Sequence, residues 1–207
     1  KEGQWVWVLA RGRVVERSVS GDSVRVSGST VDITQRKSIE LKIQRLATID
    51  ALTGLNNRSV FNDKLNEQIR LAKRLGTVFA VMMLDLDEFK PVNDQYGHPV
   101  GDELLKQVSA DIKSECRGTD IVARLGGDEF AFILLSTTDH QGCKAFAERV
   151  LQSLSHERMI DGHAIEIKAS IGYCLYEDVS MTDRDIMIAA DSALYRAKRG
   201  GKNSYCG

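Results

Sequence analysis

Between Trp5 and Val31, short runs of β-branched and aromatic residues alternate with turn residues. Segments 5–10, 13–19 and 24–31 read as strands, with Ser20-Gly21-Asp22 as a turn. Two or three antiparallel strands are expected. So small a piece does not close a core of its own, and either further residues or a partner should cover it. From Gln35 to Ile49 the pattern changes to a charged stretch without Gly or Pro, in which Ile39, Ile43 and Leu46 recur at helical spacing. A connecting helix is predicted there. About two heptads do not decide between a dimeric coiled coil and a helix packed on its own domain.

Beyond residue 50 helical and strand patterns alternate. A loop over 50–57 is followed by a helix over 58–75 that Gly76 ends. The continuously apolar run 78–84 reads as a strand buried on both faces. Next come a helix over 100–116, strands 121–125 and 129–135 joined across Gly126-Gly127, a helix over 141–154, a strand-rich stretch 165–176 and a helix over 183–199 closed by Gly200-Gly201. This order predicts an α/β fold: a ferredoxin-like sandwich with a central, mainly antiparallel sheet covered by helices.

Composition narrows the function classes. The chain has 207 residues, enough for between one and two domains of roughly 100–200 residues. It carries 28 Lys and Arg against 29 Asp and Glu, so bulk charge recruits neither nucleic acid nor an anionic membrane. Cys116, Cys143, Cys174 and Cys206 form no C-x-x-C pair, which argues against a zinc ribbon and for reduced thiols in a cytoplasmic setting. No apolar run approaches the roughly 18 residues of a membrane span.

Two motifs can carry chemistry. Asp85-Leu86-Asp87 ends the buried strand, and alternation turns both carboxylates to one side. Alone, the pair could be a solvated strand exit. The Phe at position 89 and the preceding strand exclude an EF-hand. The second motif, Arg124-Leu125-Gly126-Gly127-Asp128-Glu129-Phe130, is a tight hairpin in which glycines allow positive φ and close ligand approach. If its acids stand beside Asp85, the set makes an oxygen-rich site for Mg²⁺.

These residues resemble the signature of the GGDEF domain, the diguanylate cyclases of bacteria. The resemblance runs from about Asp50 to Tyr205 and includes Asp50-x-Leu52-Thr53-Gly54-Leu55-x-Asn57-Arg58, the block from Asp85 to Asp102, Ser170-Ile171-Gly172, and Ala190-Asp191-x-Ala193-Leu194-Tyr195-x-Ala197-Lys198. It implies condensation of two GTP into cyclic di-GMP by a homodimer, with Mg²⁺ or Mn²⁺ held by Asp85, the Leu86 carbonyl, Asp128 and Glu129. Asp128 or Glu129 would also be the base, with Lys90 stabilising phosphate charge. Substrate contacts carried over are Phe89, Asn93, His98, Asp102, Gly126, Gly127, Lys198 and Lys202. A carboxylate at Asp102 suits the N1–H and 2-amino donors of guanine, which adenine lacks. Lys202 stands where the family usually has Arg, keeping charge but losing the bidentate fork. Arg117 and Asp120 match the Arg-x-x-Asp that binds product as inhibitor, with Arg124 as a secondary contact.

The first residues resemble the last strands of a PAS sensor domain, with Asp32-Ile33-Thr34 leading to an output helix. The expected organisation is thus 1–34, the C-terminal strands of a PAS domain; 35–49, a signalling helix; and 50–207, a GGDEF catalytic domain. Two other readings stand beside a GTP cyclase. One is a non-catalytic cyclic di-GMP-binding regulator, against which the retained Asp128 and Glu129 argue. The other is a cyclase using adenine nucleotides, against which Asp102 argues.

Overall fold

In the computed structural model, which describes residues 5–39 and 48–207, the chain divides into two units, Lys1–Ala47 and Thr48–Gly207. In the first, two strands form rather than three: β1 (Val8–Arg17) pairs antiparallel with β2 (Ser23–Asp32). The expected break near Arg11-Gly12 does not occur, because Gly12 lies opposite Gly28. A Cβ on Gly28 would collide with the Arg11 carbonyl, so the glycine lets the strands pair straight through. Every β1 residue is exposed, including Val8, Leu9, Val14 and Val15. Residues 34–39 are helical. Most of the connecting helix expected over 35–49 falls on 40–47, outside the described residues.

The second unit places its elements in the order α1 (Arg58–Leu75), β3 (Phe79–Asp87), α2 (Phe89–Tyr96), α3 (His98–Ser114), β4 (Ile121–Gly126), β5 (Glu129–Leu134), α4 (His140–Leu154), β6 (Arg158–Ile160), β7 (His163–Ile165), β8 (Lys168–Tyr176), α5 (Asp183–Arg199) and β9 (Tyr205–Cys206). The sheet runs β4-β5-β3-β8-β9, antiparallel except for the β8–β9 edge. This is the ferredoxin-like arrangement expected, with additions. The short helix α2 escapes periodicity because it spans two turns and holds Pro91, which a first turn tolerates. The stretch 165–176 contains the end of a small β6–β7 hairpin and then β8.

Alternation along β3 explains why it is central. Ala80, Met82, Leu84 and Leu86 join one core with Leu104, Val108 and Ile112 of α3 and Phe146 and Val150 of α4. Phe79, Val81 and Met83 join a second core with Phe61, Leu65 and Ile69 of α1 and Ile186, Ala190 and Leu194 of α5. With both faces covered, each fully buried Leu or Phe contributes roughly 1.5–3 kcal/mol. Gly172 serves the second interface: a Cβ there would meet the α5 backbone at Ala190 and Leu194, so its absence lets the helix lie against β8. Helix ends are fixed locally. Asn57 accepts from the Val60 N–H, Gly76 turns left-handed at φ 66°, and Thr182 with Asp185 forms a capping box. The four cysteines are free thiols, with Cys116 and Cys143 each pushed up to about 12 by burial and by nearby carboxylates.

Candidate active site

The odd residues of β3 face α1 and α5, so Asp85 and Asp87 emerge on that side, as strand alternation predicts. Their environments differ. Asp85 lies opposite Glu129 of β5 in the strand register, and its Oδ1 is 2.6 Å from Lys198 Nζ on α5. Burial raises its pKa above the usual carboxylate range; Lys198 opposes the shift, while Asp128 and Asp87 add to it. Asp87 is buried and turns inward to Ser170 and the Asn203 N–H.

Beyond Asp87 the chain turns sharply at Glu88, left-handed at φ 62°, and enters α2 without a side-chain cap. The amides of the first α2 turn therefore keep hydrogen-bonding capacity, and the helix dipole favours an anion there. A cleft of about 260 Å³ brings together Asp85, Leu86, Asp87, Glu88, Phe89, Lys90, Asp128, Lys198 and Lys202. Across it, Lys202 Nζ meets the Glu88 carboxylate at 2.9 Å. Asn93, His98, Asp102, Gly126, Gly127 and Glu129 do not line this cleft. Asn93 sits against Gly101, where a Cβ would collide with its Oδ1. Asp102 and His98 lie exposed near the start of α3.

The glycine turn is held by two arginines. Gly126 and Gly127 take φ values of 142° and 55°, conformations that favour glycine. Arg124 donates from Nε and Nη2 to the Gly127 carbonyl at 2.9 and 2.7 Å, and from Nη1 to Asp50 at 3.1 Å. Arg58, first in α1, donates to the Leu125 carbonyl at 3.0 Å and reaches Glu129 at 3.4 Å. The Asp50 carboxylate is pushed up by burial, but donors from Thr53 and Arg124 outweigh this and hold it below its usual range. The Asp50–Arg58 segment thus buttresses the turn, a role for Asp50 and Arg58 that motif reading did not assign. It becomes legible only when residues 66 to 74 positions apart are seen in contact.

The donor set suits a hard divalent cation. Among the described residues no three His, Cys, Asp or Glu side chains form a ready-made cage. Mg²⁺ asks for less: one or two carboxylates, with waters and substrate phosphates completing the shell. The Asp128 carboxylate adds to the cost of ionising Asp85, which a cation between carboxylates offsets.

Arg117 and Asp120 line a separate pocket of about 240 Å³ with Thr137, Gly142, Phe146 and Arg149. Their contact is not a side-chain salt bridge. Asp120 accepts from the backbone N–H of Arg117 at 2.9 Å and of Leu135 at 3.3 Å, leaving the Arg117 guanidinium exposed. Arg124 is absent from this pocket and its donors are engaged at the glycine turn, so the structure does not join it to the expected product contacts. Arg149, which sequence reading passed over, is present, stacked 5.4 Å from the Phe146 ring and bonded to Glu115.

A family model described as "Diguanylate cyclase, GGDEF domain" matches residues 47–204. The chain belongs to the GGDEF family. It is 40% identical over 185 residues to the bifunctional diguanylate cyclase/cyclic di-GMP phosphodiesterase MucR of Pseudomonas aeruginosa, covering 89% of this chain and 27% of MucR. It is 34% identical over 199 residues to the cyclic di-GMP phosphodiesterase NbdA of the same organism, covering 96% of this chain and 25% of NbdA. The chain therefore spans about a quarter of the length of these curated relatives. Among solved structures, the coiled coil and GGDEF domain of DgcB from Caulobacter crescentus in complex with c-di-GMP matches with a TM-score of 0.78 at 28% identity, covering 84% of this chain and 93% of that one. The relatives' names differ in activity, so membership of the GGDEF family does not by itself assign catalysis to this chain.

Proposed function

We propose that residues 50–207 form a diguanylate cyclase domain that condenses two GTP into cyclic di-GMP and two pyrophosphates. The observation that carries this reading is the cleft itself, where Asp85 and Asp128 meet Lys198, Lys202 and the amino end of α2. Carboxylates alone suit a cation, and lysines with helix amides alone suit an anion; together they suit a metal–triphosphate. Asp85, the Leu86 carbonyl, Asp128 and Glu129 would hold Mg²⁺ or Mn²⁺, which when bound neutralises phosphate charge during transfer. Lys198 and Lys202 bind the triphosphate, and Lys90 offsets charge developing on the transferred phosphoryl group.

Asn93 and Asp102 select guanine, Asp102 accepting from N1–H and the 2-amino group; His98 and Phe89 complete the substrate contacts. The 3′-hydroxyl of each GTP attacks the α-phosphorus of the other, a new P–O ester bond forms, and the bond to pyrophosphate breaks. The hydroxyl proton passes to Asp128 or Glu129. Each domain presents one GTP, so the working unit is a homodimer. Arg117 and Asp120 bind product as inhibitor, with Arg149 close enough to contribute. Residues 1–34 are read as the end of a PAS domain and 35–49 as the helix that sets the encounter of two catalytic domains, in a cytoplasmic protein.

A second reading, a cyclic di-GMP-binding regulator without turnover, draws on the similarity to NbdA, whose name is that of a phosphodiesterase. Incubation with GTP or ATP and Mg²⁺, with chromatography of the products, separates the readings. Cyclic di-GMP and pyrophosphate from GTP, and nothing from ATP, are expected. Binding of cyclic di-GMP without pyrophosphate release would leave the regulator.

A further inference from the structure

The two aspartates of Asp85-Leu86-Asp87 share a face but not a task. Asp87 is 6% exposed, and both its oxygens are engaged: Ser170 Oγ, fully buried, lies 2.9 and 3.0 Å from them, and the Asn203 N–H donates to Oδ2 at 2.9 Å. That second bond reaches a strained segment. Gly201, Lys202 and Asn203 follow one another at φ 128°, 62° and 43°. Two successive non-glycine residues in the left-handed region persist only where the surroundings over-determine them. Here Lys202 N–H is bonded to Ala197 at the end of α5, and the Ser204 carbonyl to Ile171 of β8. Between these anchors, Asp87 supplies the contact at Asn203. The side chain of Lys202, raised on this bend, reaches across the cleft to Glu88.

We propose that Asp87 is a positioning residue: its buried carboxylate fixes the left-handed bend at Lys202-Asn203 and so holds the Lys202 ammonium over the triphosphate part of the cleft. The inference rests on the reading of Lys202 as a triphosphate contact. Both acids line the cleft, but it assigns them different duties: Asp85 pairs with Lys198, whereas the oxygens of Asp87 are engaged by Ser170 and the Asn203 N–H. The identity of the acceptor matters more than its charge. Asp87→Asn keeps an oxygen for the Asn203 N–H and an amide to donate to Ser170 Oγ, whereas Asp87→Ala removes both.

The test is equilibrium binding of 3′-deoxy-GTP with Mg²⁺, a nucleotide lacking the attacking hydroxyl, to the wild type, D87A, K202A and the double variant. D87A should weaken binding about tenfold, D87N by no more than about threefold, and D87A should add less than about twofold in the K202A background. A purely structural role would lower the melting temperature without this loss of additivity. If K202A binds as tightly as the wild type, the triphosphate reading of Lys202 falls, and this inference with it. If K202A weakens binding while D87A does not, or the two losses add in full, the inference alone is overturned. Should D87A fail to fold, Ser170→Ala keeps the carboxylate but removes its inner anchor. A loss of about threefold that vanishes in the K202A background is then expected, and an additive loss overturns the inference.

Discussion

The cleft at the end of β3 and the pocket around Arg117 both present cations, but in opposite electrostatic states. In the cleft two of the three lysines already have an acidic partner: Lys198 on Asp85 at 2.6 Å and Lys202 on Glu88 at 2.9 Å, with Arg58 close to Glu129 outside it. Around Arg117 the acid is spent on backbone N–H groups, and the guanidinium makes no ion pair among the described residues. A ligand entering the cleft must exchange partners, which favours one that carries both phosphates and a metal. A ligand entering the Arg117 pocket meets a cation ready to pair. Exposed ion pairs are worth about 0–1 kcal/mol, so exchange at Lys202 and Glu88 has little to overcome. The first arrangement suits chemistry and the second suits plain binding.

The sharpest way to break this contrast is to remove an acid from the signature. Asp128→Ala or Glu129→Ala should lower pyrophosphate release by about a hundredfold or more, while circular dichroism and cyclic di-GMP binding stay as in the wild type. Full activity in both variants would sink the metal assignment. A smaller effect is expected in the second pocket. Arg117→Ala should raise the cyclic di-GMP concentration needed for half-inhibition about tenfold and leave the initial rate unchanged. Arg124→Ala should lower the initial rate, because it frees the Gly127 carbonyl; a change in inhibition alone would favour a product contact for Arg124 over support of the turn.

The smallest effect concerns pH and the metal-free protein. Asp85 has a raised pKa, so the stability present when it is protonated is lost as pH rises from its ordinary value through the raised one. Asp85→Asn should therefore melt higher than the wild type at neutral pH and lose that advantage in acid. An equal melting temperature at all pH values would show that Lys198 fully compensates Asp85.

Much of this was legible before any coordinates. Helices 58–75 and 183–199 follow from apolar spacing and end signals, and both are found at those bounds. The apolar run before Asp85 reads as a strand covered on both faces and the glycine pair as a tight turn open to positive φ, and both form. Local features failed where the deciding contact is distant. Helix α2 is too short to show a period, β9 has two residues, and the continuous β1 depends on a glycine facing a glycine across the hairpin.

The sequence by itself determined the family, the order of elements and the residue types available for phosphoryl chemistry, because motifs and periodicity are properties of neighbours in the chain. Only the tertiary structure decided which of those residues share a site. It separated Asp85 from Asp87, though two positions apart and on one face, since one meets Lys198 of α5 and the other the Asn203 amide. It also set Arg124 against the glycine turn, because its partners Asp50 and Gly127 meet only when the strands pair. The physical reason is the same in both cases. A side chain's identity sets what it can bind, whereas the groups that come within about 3 Å of it are set by packing.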